Sequence, residues 1–283
     1  MSIALKENGF LEKALEADGI KVRWVQSLGS NKALEFLNAG SLDFGSSASA
    51  AALIARINGN PIKSIYVYSR AEWTALVTKP DSGSRASSRS QGQARRGHPR
   101  HRPAHLPHPR ARPRKALRQG REARAAPARR RRLALQRGDV DAWMGLDPMM
   151  ASAELQDGAK LVVRDPSLNS WGALNVREAF AAENPALVDK VLAAYDQARK
   201  WSLANPKELN ALLAKAAKLP EDVVALQLER TKIAYTPISD DDVAAVTAAG
   251  EALSAAGVLP ATADAAKATG ELIDRRFDAK FVN

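Results

Sequence analysis

At 283 residues, 45% hydrophobic and 26% charged, the chain has the composition of an ordinary globular protein and the length to bury one or two cores. It contains no cysteine, which excludes disulfides, thiol nucleophiles and cysteine-ligated metals. Its formal net charge of +11 resides in one stretch: residues 82–132 hold sixteen Arg, one Lys and a single acid, Glu122, and the remainder has 25 basic and 30 acidic residues. No apolar run is long enough to cross a bilayer, and the opening MSIALKENGF lacks the charged-then-apolar pattern of a secretory signal.

Phe10, Leu11, Ala14 and Leu15 make the apolar face of a short helix that Gly19 stops, and KVRWV (21–25) alternates like a half-buried strand. Ser30 is placed to cap a helix carrying Ala33, Leu34 and Leu37, ended by Gly40. SLDF (41–44) reads as a strand, and Gly45-Ser46-Ser47 as the opening of a helix through Ala50 to Ile57. After the turn Asn58-Gly59-Asn60-Pro61, strands are predicted at 62–68 and 73–78. Such alternation predicts an α/β fold with a mostly parallel sheet and helices on its faces. Beyond residue 132 the same grammar resumes, with a strand in DVDAWMG (139–145) and a helix opened by Asp147-Pro148. KLVVR (160–164) and WGALNV (171–176) are further strands. From Arg177 the pattern is helical, over 185–204, 206–218, 221–230, 239–256 and 262–277.

Three stretches, ALEFLNAGSLDFGSSASAAALIA (33–55), LALQRGDVDAWMGLDPMMASAE (133–154) and LNSWGALNVREAFAAENPALVDKVLAAYDQARKW (168–201), resemble in order the substrate-binding proteins of sulfonate, taurine and nitrate ABC importers. The resemblance implies a two-lobed type II periplasmic binding protein fold. Residues 1–78 would begin lobe 1, 79–170 form lobe 2, and 171–283 complete lobe 1 and add C-terminal helices. It also implies a periplasmic, monomeric, non-enzymatic protein with no cofactor and no metal. Its partners would be a small sulfonate-like anion and an ABC permease in the membrane, and no nucleic acid. Hinge closure between lobes is the expected motion. Two departures stand out: the family's first strand and first ligand-binding loop are missing, and its second lobe opens with a strand, a turn and a helix where this chain has arginines.

Proteins rich in Ala, Arg, Gly and Pro arise when a GC-rich gene is read out of frame. One permitted coding of residues 90–110, read from its second base, gives LKGKRVAVTRGTDPHIFLIR, which is similar to the family's missing stretch. The codons of 127–131 can likewise be read as QHADG, joining Arg132 in frame. Two compensating indels, near Ser84 and near Arg131, account for the composition and for the clean resumption after it. Residues 84–132 are therefore expected to be largely out of frame, disordered and without a packed core. His98, His101, His105 and His108 have metal-like spacing, but Pro99, Pro103, Pro107 and Pro109 forbid the regular helix that would align them.

The candidate ligand residues are Gly45, Ser46 and Ser47, where a helix N-terminus and serine hydroxyls suit a sulfonate. Ser69, Arg70, Trp73, Trp143, Asp147 and Trp171 complete the set. The tryptophans could wall the ligand's alkyl group or simply pack the core. Asp147 could hold an amine or cap a helix, and Arg70 could meet the anion or pair with Glu72. Two other readings compete. One is a thiamine-precursor-synthesis-like enzyme on the same fold, which would need a catalytic set. The other is a basic nucleic-acid-binding protein, which requires 82–132 to be the encoded sequence.

Overall fold

Residues 1–27, 29–70, 72–80, 128–166, 169–233, 237–260 and 262–277 are described in the computed structural model. They fall into two units, Met1–Trp73 with Asp165–Asn283, and Thr74–Arg164. The first unit begins with helices α1 (Ser2–Glu7), α2 (Phe10–Leu15) and α3 (Ser30–Asn38), then strand β1 (Phe44–Ala48), helix α4 (Ser49–Ile57) and strand β2 (Ile62–Ser69). The second unit comprises β3 (Thr74–Thr78), α5 (Ala128–Arg137), β4 (Ala142–Leu146), α6 (Met149–Asp157) and β5 (Lys160–Val163). The chain then returns to the first unit with β6 (Gly172–Arg177), α7 (Glu178–Glu183), α8 (Pro185–Ala204), α9 (Pro206–Ala217), α10 (Glu221–Arg230), α11 (Asp240–Ala255) and α12 (Ala265–Leu272).

In the first unit β6 lies between β1 and β2 and is antiparallel to both, with Ser46 opposite Leu174 and Lys63 opposite Val176. In the second, β3 lies between β4 and β5, again antiparallel to both; Leu76 sits opposite Met144 on one side and Val163 on the other. The sequence pattern predicted a mostly parallel sheet, yet every ladder between described strands is antiparallel. The reason is topological. β1–α4–β2 is a crossover that leaves two strands running the same way, but the strand inserted between them arrives after the excursion through the other unit and runs opposite. β4–α6–β5 repeats the arrangement around β3.

Helices cover both faces of the first sheet. On one, Tyr66, Leu174 and Val176 pack with Leu11 of α2 and Val188, Leu192 and Tyr195 of α8. On the other, Ile62, Val67 and Ala173 pack with Leu53 of α4, Val246 of α11 and Leu272 of α12. Each such large side chain contributes about 1.5–3 kcal/mol by leaving water. The helices approach closely: a Cβ on Gly250 of α11 would lie 2.7 Å from Leu53 and 2.8 Å from Ala265. The second sheet differs. Ala75, Val77 and Trp143 are buried with Leu135 of α5 and Met150 of α6. On its opposite face Met144, Leu146 and Val163 are 59%, 44% and 47% exposed.

Several expectations shift. KVRWV alternates in burial as predicted, with Val22 and Trp24 half-buried between exposed neighbours, but residues 21–25 are not a strand, because their backbone finds no described strand to pair with. The strand expected at 41–44 runs over Phe44–Ala48, so Gly45-Ser46-Ser47 lies in β1 and the helix opens at Ser49. Ser30 does not cap α3; it is the first helical residue, and its hydroxyl accepts the Ala48 N–H at 3.0 Å. The units divide before Thr74 instead of after Thr78, since Thr74–Thr78 pairs with β4 and β5. The last helix spans only Ala265–Leu272. Residues 84–127 and their histidines lie outside the described residues. Residues 128–132, expected to be disordered, begin α5, where Arg132 reaches Asp157 through Nε (2.7 Å) and Nη2 (2.8 Å).

Candidate functional site

The first sheet ends in a concentration of hydroxyls. Ala48 and Ser69 are both in register with Gly172, so β1 and β2 finish together on either side of the start of β6. In α/β proteins the carboxyl ends of strands are where loops and helix starts can face a ligand. A Cβ on Gly172 would stand 2.5 Å from the Tyr68 ring and 2.7 Å from Ser69 Oγ, so glycine is required for β2 to approach this closely.

Helix α4 starts here without a side-chain cap. The Ser49 N–H donates to the Trp171 carbonyl at 2.8 Å, leaving the next N–H groups of the first turn without a capping side chain. Such N–H groups carry partial positive charge and suit an anion. The Ser49 and Ser69 hydroxyls are buried and have no hydrogen-bond partner among the described residues. A buried hydroxyl without a partner costs about 1–3 kcal/mol.

Behind this end stands a polar hub. Asn175 accepts the Ser64 hydroxyl at 2.7 Å and donates to the Gly45 carbonyl at 3.0 Å and to Ser47 Oγ at 2.9 Å. The Ser47 hydroxyl also donates to the Ala48 carbonyl at 3.1 Å, so it is fully engaged within the protein. Gly45 packs on Leu37, whose side chain would have to give by a few tenths of an ångström to admit a Cβ, while Ser46 remains half-buried on the other face of the strand.

The remaining predicted residues divide by their contacts. Arg70 does not pair with Glu72: its guanidinium grips Asp242 at 2.6 and 3.1 Å. Burial pushes the Asp242 carboxyl upward, but the bonds from Arg70 and Ser239 outweigh it and hold the group below the usual carboxylate range. Trp171 is a core residue whose indole donates to the Asp242 carbonyl at 3.1 Å. Trp73 is half-buried and donates to the Ser170 carbonyl at 3.1 Å. In the second unit Trp143 is buried, with an indole N–H that has no partner among the described residues. Asp147 Oδ1 accepts the Ala151 N–H at 2.9 Å at the start of α6, which is the work of a cap.

Ser49, Ser64 and Asn175 were absent from the predicted set. Asn175 carried a signal: an amide inside the apolar strand WGALNV must find partners when buried. Among the described residues no group of His, Asp or Glu is arranged to hold a metal ion.

Residues 3–89 match the family model described as NMT1/THI5 like. An aliphatic sulfonates-binding protein of Escherichia coli K12 is 34% identical over 99 residues, which are 35% of this chain and 31% of that relative's length. The aligned segment is thus about a third of each protein. Among solved structures, the periplasmic aliphatic sulphonate binding protein SsuA of E. coli superposes with a TM-score of 0.70 at 22% identity, covering 92% of this chain and 89% of that one. The alkanesulfonate-binding protein SsuA of Xanthomonas axonopodis pv. citri, bound to MOPS, gives a TM-score of 0.70 at 20% identity, covering 96% and 94%. The chain therefore has the fold of these binding proteins.

Proposed function

We propose that this chain, which carries NMT1/THI5-like family sequence over residues 3–89 and the fold of the periplasmic sulfonate-binding proteins, is the substrate-binding component of an ABC importer for alkyl sulfonates or related small anions. It works as a periplasmic monomer, delivers its ligand to a membrane permease and catalyses no reaction. The observation that carries this reading is the end of the first sheet, where helix α4 starts without a side-chain cap and the buried Ser49 and Ser69 hydroxyls have no hydrogen-bond partner among the described residues. Neutral donors of this kind hold a sulfonate with directional bonds worth about 1.5–3 kcal/mol each. Ser46 adds a third hydroxyl. Gly45 and Ser47 shape the strand beneath them, and Arg70, Trp73 and Trp171 hold the surrounding loops.

The stretch read as out of frame would contribute a turn, RGTDPH, whose helix start adds donors to the same anion. The chain as written therefore binds weakly. Calorimetry with ethanesulfonate, on this chain and on a version carrying the restored reading, tests both statements. Binding by the restored version, lost in its Ser49→Ala and Ser69→Ala double variant, is the expected result. No binding by the restored version overturns the assignment, and equal tight binding by both versions overturns the frame-shift account.

A further inference from the structure

Next to the serine end of the first sheet stands an ion pair that the proposed site does not use. Arg70 directly follows Ser69, so its side chain is rooted one residue from a partnerless buried hydroxyl. Its guanidinium is turned to α11. There Nε donates to Asp242 Oδ1 at 3.1 Å and Nη2 to Oδ2 at 2.6 Å, with a longer bond from Nη2 to the Pro237 carbonyl at 3.4 Å. The two side chains are 30% and 9% exposed, so water screens the pair only in part.

Asp242 is itself anchored. Its Oδ2 accepts the N–H and the hydroxyl of Ser239, each at 2.9 Å, in a capping box that fixes the carboxylate at the first turn of α11. The backbone of Asp242 reaches the other serine. Its carbonyl accepts the Trp171 indole N–H at 3.1 Å, and the Trp171 carbonyl accepts the Ser49 N–H at 2.8 Å. The pair is thus tied to Ser69 by the chain and to Ser49 by two hydrogen bonds in series.

We infer that Asp242 is a specificity-determining residue of the proposed anion site, because it holds the Arg70 guanidinium off the ligand. The inference rests on the assignment of that site to Ser49, Ser69 and the start of α4. Its physical content is a matter of charge. At a given distance a cation attracts a doubly charged anion twice as strongly as a singly charged one. Bonds from N–H and hydroxyl groups to the oxygens of a sulfonate or a sulfate carry no such factor of two from a full charge. An arginine on the ligand would therefore move the site's preference from alkyl sulfonates towards sulfate and other dianions. With the carboxylate gone, the Arg70 side chain is released beside Ser69 and swings to the anion. Asp242, fixed on its helix by Ser239, cannot make the corresponding move.

The test is an NMR titration of the full chain, wild type and Asp242→Asn, with ethanesulfonate and with sulfate at constant ionic strength. The amides of Ala50 and Ala51, in the first turn of α4, report binding, and the Arg70 Nε–H reports the guanidinium. In wild type neither anion should move the Arg70 signal as the amides saturate. In Asp242→Asn the ratio of sulfonate to sulfate affinity should fall about tenfold or more, with the Arg70 signal now following sulfate. Asp242→Glu, which keeps the carboxylate, should hold the ratio within about threefold of wild type. The double variant Arg70→Met, Asp242→Asn should do the same, since it has no guanidinium to release. An unchanged ratio in Asp242→Asn, or a fallen ratio that persists in the double variant, overturns the inference. So does an Arg70 signal that follows either anion in wild type, a result that needs no variant to fold. If ethanesulfonate moves no α4 amide in wild type, the sulfonate assignment falls, and the inference stands only if Asp242→Asn binds sulfate through Arg70.

Discussion

Asn175 and Ser47 lie 128 residues apart in the chain and 2.9 Å apart in the sheet, and the amide between them is what ties β1 to β2 across β6. Replacing Asn175 with Leu would strand the Ser64 hydroxyl and remove a donor from both Ser47 and the Gly45 carbonyl in a buried setting. The expected cost is about 2–4 kcal/mol, at about 1–3 kcal/mol per stranded group with partial relaxation. Urea denaturation of Asn175→Leu measures it; a loss below about 0.5 kcal/mol would show that the hub is incidental.

Arg70 separates a structural role from a ligand role. Removing its side chain leaves Asp242, which is nearly buried, with only Ser239 as a side-chain partner among the described residues. Arg70→Met should therefore destabilise the protein by about 2–3 kcal/mol. In the frame-restored version the same change should leave sulfonate affinity within about threefold at temperatures where the variant is folded. A large affinity loss without a stability loss would return Arg70 to the ligand.

The Arg132–Asp157 pair predicts a pH dependence. Hydrogen bonds from Arg132, only partly opposed by burial, hold the Asp157 carboxyl below its ordinary range. A carboxyl depressed in the folded state binds fewer protons there than in the unfolded chain. Its stabilisation is thus complete above the ordinary carboxylate value near pH 4 and is lost as pH falls through the lower folded value. Both side chains are mostly shielded, at 16% and 19% exposure, so Arg132→Met should cost about 1–2 kcal/mol at neutral pH. Denaturation at neutral pH and near pH 3 should show the gap between wild type and variant shrinking. A gap independent of pH would mean the pair contributes nothing through charge.

The second sheet offers a test of the reading frame that needs no ligand. Met144, Leu76 and Val163 form a row across β4, β3 and β5 on the face that no described element covers. The restored reading, with its apolar VAV and IFLI runs, would have side chains to cover it; the arginine-rich version has few. The restored protein should therefore bind a hydrophobic dye such as ANS several-fold less than the chain as written. Equal dye binding, with Met144 oxidised equally fast by peroxide in both, would remove the frame shift as the cause of the bare face.

Much of the framework was readable because its punctuation is strong. The Asn58–Pro61 turn, Pro185 and Pro206 at helix starts, and the apolar runs of β2 and β6 each mark an element by local chemistry. The end of the first sheet was harder. Gly45, Ser46 and Ser47 are small and nearly neutral in preference, so strand and helix opening look alike until β6 supplies a partner. Sequence proximity misled at Arg70, whose nearest acid was Glu72 and whose actual partner, Asp242, is 172 residues away. The direction of the ladders was invisible for a similar reason: alternation shows that β1 and β2 share a crossover, and not which later strand will separate them.

That separation governs how the protein can be made. The central strand of the first sheet is contributed only after the chain has left for the second unit and come back. At about 5–20 residues per second, a ribosome that has just released β1 needs on the order of ten seconds to deliver the segment that pairs with it. During that interval β1 and β2 emerge with no partner between them, and neither can fold as a nascent hairpin. The first sheet can thus assemble only late in synthesis, and its early strands are exposed to chaperones and proteases for longer than the unit's size alone would require.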